Sequence, residues 1–330
     1  MNRRTAAWLV VFGGLLAIPV LLFDPSRTFV TKRFLTFLTF AALATALNII
    51  FGETDQLYLF TGGLAAIGAY TTALSADYLG VSPWLTLVAG AIAAGSLGAL
   101  VSYVAARRRF TVIVLAILTF AFQSIIMELL VGLRDITGGS TGFRFTALQI
   151  EPVQAALGIS RYTVAYYALV GVFALAVGSY SWLVRSKYGL AFEAIRQDEI
   201  AAEATGIDIV RQQAFAGFVG ASLIGLVGPF YAQSTGLVIP SLFSFASVDV
   251  LVLIVVVLGG LRTTFGPLAG AAVVTYLYDV LSEFGQWRTV AFGLLLTFLF
   301  IYFRQGILPA VTSLVEEPRA VWDRLRSPRR

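Results

Sequence analysis

Cysteine and histidine are both absent from the 330 residues. Their absence excludes disulfides, thiolate nucleophiles, haem ligation, imidazole general bases and Cys/His zinc sites together. It leaves no metal, no cofactor and no catalytic residue to nominate. Lysine is nearly missing as well. Lys32 and Lys187 follow Thr31 and Ser186, so no Gly-Lys-Ser/Thr phosphate loop exists in the sequence. If this chain works with ATP, another polypeptide hydrolyses it. Charge is scarce, at 12% of residues against 58% hydrophobic, with a mean hydropathy of +0.85. A soluble domain carries about a quarter charged residues, so water is the wrong solvent for this chain. The net charge of +5 reads as arginine placed at a cytoplasmic membrane surface rather than as nucleic-acid binding.

What is present is apolar helix. A hydrocarbon core about 30 Å thick takes about 20 apolar residues to cross. Runs at about 6–23, 34–51, 57–76, 83–105, 110–132, 162–184, 212–235, 242–261, 267–286 and 288–303 meet that need. The expected fold is all-α and polytopic, with about ten transmembrane helices. The first run follows Arg3 and Arg4 in the manner of a signal peptide, yet Asp24-Pro25-Ser26-Arg27 offers no small-x-small cleavage site, which favours a retained span. Basic residues next to spans stay in the cytoplasm. Placing both termini there puts 16 of the 23 Lys and Arg residues inside, which selects that orientation. One link strains it: Glu53 and Asp55 lie inside without a base, so residues 52–66 are expected to form a broken or re-entrant segment.

Small residues recur four apart at Gly90, Ala94 and Gly98, and at Gly217, Ala221 and Gly225, spacing that lets helix backbones approach. Packing within the chain is the first reading and a subunit interface the second. Polar groups inside spans are costly and each needs an explanation. Glu128, Asp279 and Glu283 are expected near water. Asn48, Gln123 and Asp249 either bond between helices or line a substrate path, and Asp249 is the most anomalous, expected about 10 Å inside its helix.

The stretch from Arg185 to Arg211 is polar and helix-rich. Asp198 is the expected N-cap, Glu199 sits at the positive end of the helix dipole, and Gly206 supplies a left-handed stop after Ala204 and Thr205. Charges among small residues suggest docking on a partner, with a plain connecting loop as the alternative.

Ala194-Ile195-Arg196-Gln197-Asp198-Glu199-Ile200-Ala201-Ala202-Glu203-Ala204-Thr205-Gly206-Ile207 resembles the cytoplasmic loop of LivM-type permease subunits of branched-chain amino acid ABC importers. Ser244-Phe245 through Asp249, Val257-Leu258-Gly259-Gly260, Gly266-Pro267-Leu268-Ala269-Gly270-Ala271 and Thr137-Gly138-Gly139-Ser140 resemble further signatures of that family. The resemblance implies a permease domain over 1–308 with a short cytoplasmic coupling helix, a basic cytoplasmic tail over 309–330, and an inner-membrane location. It implies docking of Arg196, Asp198, Glu199, Glu203 and Gly206 on an ATPase subunit. The implied partners are a LivH-like permease subunit, two ABC ATPase subunits, an extracytoplasmic solute-binding protein and membrane lipid.

Two departures are visible. Leu190 and Glu193 stand where the family usually has arginines. In Asp55-Gln56-Leu57-Tyr58-Leu59-Phe60-Thr61, Gln56 matches, Thr61 replaces a histidine, and Tyr58 and Phe60 replace small residues. Gln56 and Thr61 therefore join Asn48, Gln123 and Asp249 as candidate path residues. Urea, amides or another small polar solute are alternative substrates. A secondary transporter driven through Asp249 and Glu128 is the alternative mechanism, and a membrane enzyme is third.

Overall fold

In hydrocarbon every backbone N–H and C=O must find a partner within its own segment, so apolar runs become helices first and a bundle second. The computed structural model describes residues 3–22, 28–144 and 160–281, with scattered positions at 148 and between 285 and 297. The helices are α1 (Arg3–Leu22), α2 (Thr28–Leu47), α3 (Thr61–Leu79), α4 (Pro83–Arg107), α5 (Val112–Gly132) and a single turn, α6 (Arg134–Thr137). They continue with α7 (Arg161–Arg185), α8 (Lys187–Gln197), α9 (Glu199–Ala204), α10 (Ile209–Thr235), α11 (Asp249–Gly259) and α12 (Gly266–Leu281). Two short strands, β1 (Phe143–Arg144) and β2 (Leu237–Val238), pair antiparallel with Phe143 opposite Val238.

Five helices among the described residues are long and apolar enough to cross a membrane: Val30–Gly52, Trp84–Arg107, Val112–Gly132, Arg161–Arg185 and Ile209–Thr235. The protein is thus an all-α, multi-pass membrane protein, with half the ten expected spans met by length and composition. The apolar parts of α1, α11 and α12 are shorter than a full span, and α3 has the length but is rich in Gly, Thr and Tyr. The run expected to span at 242–261 needs correction. Pro240–Phe243 forms a 3-10 turn, Ser244 and Ser247 close a further turn with hydroxyl oxygens 2.8 Å apart, and the α-helix begins only at Asp249. Its 11 residues reach about 16 Å, half a hydrocarbon core. The expected span at 288–303 lies mostly, and the tail at 309–330 and Glu283 wholly, outside the described residues.

Helix α2 is the centre of the bundle, with α7, α10, α11 and α12 packed around it. Its threonines bond back to their own helix: Thr39 donates to the Leu35 carbonyl at 2.8 Å and Thr45 to that of Ala41 at 2.7 Å. A π-helical turn, Asn48–Gly52, ends it. Beside it α3, α4 and α10 meet nearly backbone to backbone. A methyl added at Gly98 would strike the Ala221 side chain and stand 2.8 Å from the Gly217 carbonyl, and one at Gly225 would stand 3.1 Å from the Gly90 carbonyl. The two small-residue stripes therefore face each other, which is the packing-within-the-chain reading. Helix α5 lies at the periphery, with Ile113, Ile117, Ile125 and Leu129 exposed.

Candidate functional site

Two stretches of non-helical backbone, residues 55–60 and 244–248, enter the bundle from opposite ends and meet beside Gln123, near the middle of α5. Each delivers a helix start there: Thr61 opens α3 and Asp249 opens α11. The first-turn N–H groups of a helix have no partner within it, and here side chains supply one. The Gly62 N–H donates to both Asp249 carboxylate oxygens at 3.3 Å, and the Gly63 N–H donates to Gln123 Oε1 at 2.6 Å. Gln123 Nε2 in turn donates to the Phe243 carbonyl at 2.7 Å, so one amide ties both interruptions together. Glycine at 62 is required by this approach: a Cβ there would lie 2.9 Å from Asp249 Oδ2 and 3.0 Å from Gln123 Nε2.

Asp249 is 2% exposed. It is a correction to the expected position that it stands first in α11 rather than inside a helix, with its carboxyl group against the N-terminus of α3. Thr61 is fully buried, and its hydroxyl has no partner among the described residues. Thr61, Gln123 and Asp249 are thus brought together, walled by Phe60 and Phe243.

Gln56 and Asn48 belong elsewhere. Gln56 Nε2 donates to Gln213 Oε1 at 2.9 Å and its Oε1 accepts from Ser102 Oγ at 2.6 Å. Ser102 also bonds Tyr58, whose hydroxyl donates to the Gly98 carbonyl at 2.8 Å. The Leu59 N–H donates to Thr119 Oγ1 at 3.0 Å, which holds the non-helical backbone against α5. Asn48 pins a loop: its Oδ1 accepts from the Arg262 N–H at 3.0 Å and its Nδ2 donates to the Thr263 carbonyl at 3.2 Å.

Around Asn48 the structure assembles a junction that local sequence reasoning missed. Glu53, 5% exposed, accepts from Tyr180 Oη and from Arg196, each at 2.8 Å. Arg196 also reaches the Gly52 carbonyl at 3.3 Å, and Arg262 Nε donates to that same oxygen at 2.8 Å. Arg262 pairs further with Asp55 at 2.8 Å. The acids that lacked a base in the sequence find theirs 143 and 207 residues away.

The polar stretch forms two short helices rather than one. Helix α8 buries Gly189, Ala191, Phe192 and Ile195. Asp198 caps α9 as expected, accepting from the Ile200 and Ala201 N–H groups at 2.9 and 3.0 Å, and Gly206 follows it at φ +89°. Glu203 pairs with Arg109 at 2.8 Å, both side chains largely exposed. Glu199 lines a crevice of about 80 Å³ with Asp55, Gln56, Arg109 and Gln213. Of the five loop residues singled out, four are therefore at the surface or shape it, while Arg196 turns inward. Glu128 lies exposed on α5 and Asp279 pairs with Arg33 at 3.1 Å.

The family described as branched-chain amino acid transport system, permease component, matches residues 30–303. The high-affinity branched-chain amino acid transport system permease proteins LivM of Salmonella typhimurium and Escherichia coli are each 30% identical to the chain, over 81% of it and 67% of their own length. The guanosine ABC transporter permease protein NupQ of Bacillus subtilis is 29% identical over 59% of the chain and 64% of its own. No solved structure matches. A match that runs from the central helix through both interruptions and the polar loop makes this chain a member of the branched-chain amino acid ABC transport permease family.

Proposed function

We propose that the chain is the permease subunit of an ATP-driven importer for branched-chain amino acids, received from an extracytoplasmic solute-binding protein. The family match over residues 30–303 carries this reading. The relatives named LivM support branched-chain amino acids over urea or amides as substrate. A secondary transporter is not favoured, because it leaves the polar loop without a task.

In this reading about ten helices cross the membrane with both termini cytoplasmic, and residues 309–330 form a basic tail. ATP is hydrolysed by two separate ATPase subunits, and a LivH-like permease completes the membrane part. The chain itself makes and breaks no covalent bond. The end of the bundle carrying α8 and α9 faces the cytoplasm, and Asp198, Glu199, Glu203 and Gly206 shape the surface on which an ATPase subunit docks. Leu190 and Ile200, 72% and 73% exposed, give that surface an apolar centre.

Thr61, Gln123 and Asp249 border the substrate path where the interrupted helices meet. Non-helical backbone at such depth is tolerated where it is buried in protein or lines a cavity, and transporters use it for substrate sites. Gln56 acts one layer nearer the cytoplasm, and Asn48 serves by holding Arg262.

The test is co-isolation from membranes followed by reconstitution in proteoliposomes with the binding protein. ATPase subunits that co-purify, and leucine uptake that requires ATP, support the reading. Uptake by the lone chain driven by an ion gradient overturns it.

A further inference from the structure

The buried junction at Gly52–Glu53 joins three parts of the molecule that are remote in sequence: α8 through Arg196, the α11–α12 loop through Arg262, and α7 through Tyr180. Its geometry is unusual in one respect. Two arginines, one from α8 and one from the α11–α12 loop, converge on one backbone carbonyl, that of Gly52, at the last residue of the π-helical turn. A helix C-terminus leaves carbonyls unpaired and carries the negative end of the dipole, so two guanidinium groups are well placed there. The Arg196–Glu53 pair is buried, with side chains 17% and 6% exposed, whereas Arg262–Asp55 is about half exposed. Glu53 is therefore the fixed point, and Arg196 is its tie to the loop.

Two residues beyond that fixed point the chain leaves the helix. Three residues on, Gln56 enters the Ser102–Gln213 network, and six residues on, the Leu59 N–H is held by Thr119. Thr61, Gly62 and Gly63 follow at the meeting of the two interruptions. The non-helical segment is tethered at both ends, by Arg262 at Asp55 and by Thr119 at Leu59, so it is a short, anchored link between Glu53 and the start of α3. We infer that Glu53 is a positioning residue for energy coupling: it clamps α8 to the helix interruption, so that displacement of the polar loop shifts residues 55–63 and with them the bonds to Gln123 and Asp249. The two-arginine clamp makes the α11–α12 loop move with it, so both half-helices change together. This rests on the docking role proposed for the loop.

The absence of cysteine from this chain permits a clean test, with Leu59→Cys as its single thiol, labelled in the reconstituted complex and read on this chain after the subunits are separated. The alkylation rate of that thiol is compared before and after trapping the ATPase subunits with ATP and vanadate. Two further variants are made in that background: the charge-free pair Glu53→Gln with Arg196→Gln, and Gly206→Val. In the otherwise unaltered complex, trapping changes the rate several-fold. The charge-free pair leaves no unpaired buried charge, so it folds, co-isolates with ATPase subunits and hydrolyses ATP. Its reporter thiol no longer responds to trapping, and leucine moved per ATP falls about tenfold, within the usual range of site-to-site coupling.

Wild-type response and coupling in the charge-free pair would show that the ion pair is only structural and overturn the inference. So would a reporter thiol whose rate never responds to trapping. If instead Gly206→Val leaves co-isolation and coupling untouched, the docking role itself fails and the inference falls with it. Uncoupling by Gly206→Val together with wild-type behaviour of the charge-free pair removes the junction alone.

Discussion

Gln123→Leu is the sharpest probe of how the interrupted helices are held, because leucine keeps the volume of glutamine and removes both of its hydrogen bonds. The Gly63 N–H and the Phe243 carbonyl would each lose the partner now at 2.6 and 2.7 Å. A buried group left unpaired costs about 1–3 kcal/mol, so two cost roughly 2–6 kcal/mol. Bonds between membrane helices measured by double-mutant cycles average only about 0.6 kcal/mol, because chains unfolded in lipid find other partners. The lower part of the first range applies here. Phe243 lies in a 3-10 turn and Gly63 in the first turn of α3, where no intrahelical partner waits. The expected loss is about 2–3 kcal/mol, read as a fall of roughly 3–4 °C in the melting temperature of the detergent-solubilised chain. Ser124→Leu, one residue along and facing outward, is the control: its hydroxyl bonds only its own helix at Phe120. Melting of Gln123→Leu indistinguishable from Ser124→Leu refutes the clamp.

Thr61→Val removes a buried hydroxyl that has no partner among the described residues, so stability should hold or rise by about 1 kcal/mol while leucine uptake falls; a lower melting temperature would show that the hydroxyl is bonded after all. Gly98→Val forces α4 from α10 and should cost about 3 kcal/mol, whereas Gly171→Val, with open space at its Cβ, should not move the melting point; equal behaviour would refute the tight-contact account. Gly206→Val also meets no atom within 4 Å, so its whole effect comes from φ +89°, at about 1–3 kcal/mol. The chain should insert normally and co-isolate poorly with ATPase subunits, and full co-isolation with coupled uptake would reduce the loop to a connector.

Features decided by local chemistry were legible in the sequence. Asp198 caps and Gly206 stops because an Asx cap and a positive φ need only a few neighbouring residues. The two small-residue stripes were legible as close-packing surfaces, and residues 52–66 as a break in the helix only because acids without a base sat in an apolar stretch. Hydropathy could not separate a half-helix from a span at 242–261, since the strongly apolar α11 dominates any window long enough to span a membrane. The discriminating signals were Pro240 and the Ser244 and Ser247 pair, which close turns in place of helix. Arg196 read as a surface charge because its partner is 143 residues away. The meeting of Thr61, Gln123 and Asp249 likewise depends on tertiary approach and on nothing within a single segment.

The central position of α2 has a consequence for biogenesis. Chains enter the membrane from the N-terminus, yet most of what covers α2 comes from α7, α10, α11 and α12, in the second half of the sequence. Until those helices are made, α2 faces lipid or the insertion machinery on most sides. Thr36, Thr39 and Thr45 tolerate the wait, since each hydroxyl already donates to the carbonyl four residues back. Asn48 does not share that provision, and its two backbone partners arrive 214 and 215 residues later. The Asn48 end of the helix is therefore the last part of it to become chemically complete, and an Asn48 without its two backbone partners marks a chain whose α11–α12 loop has not yet docked.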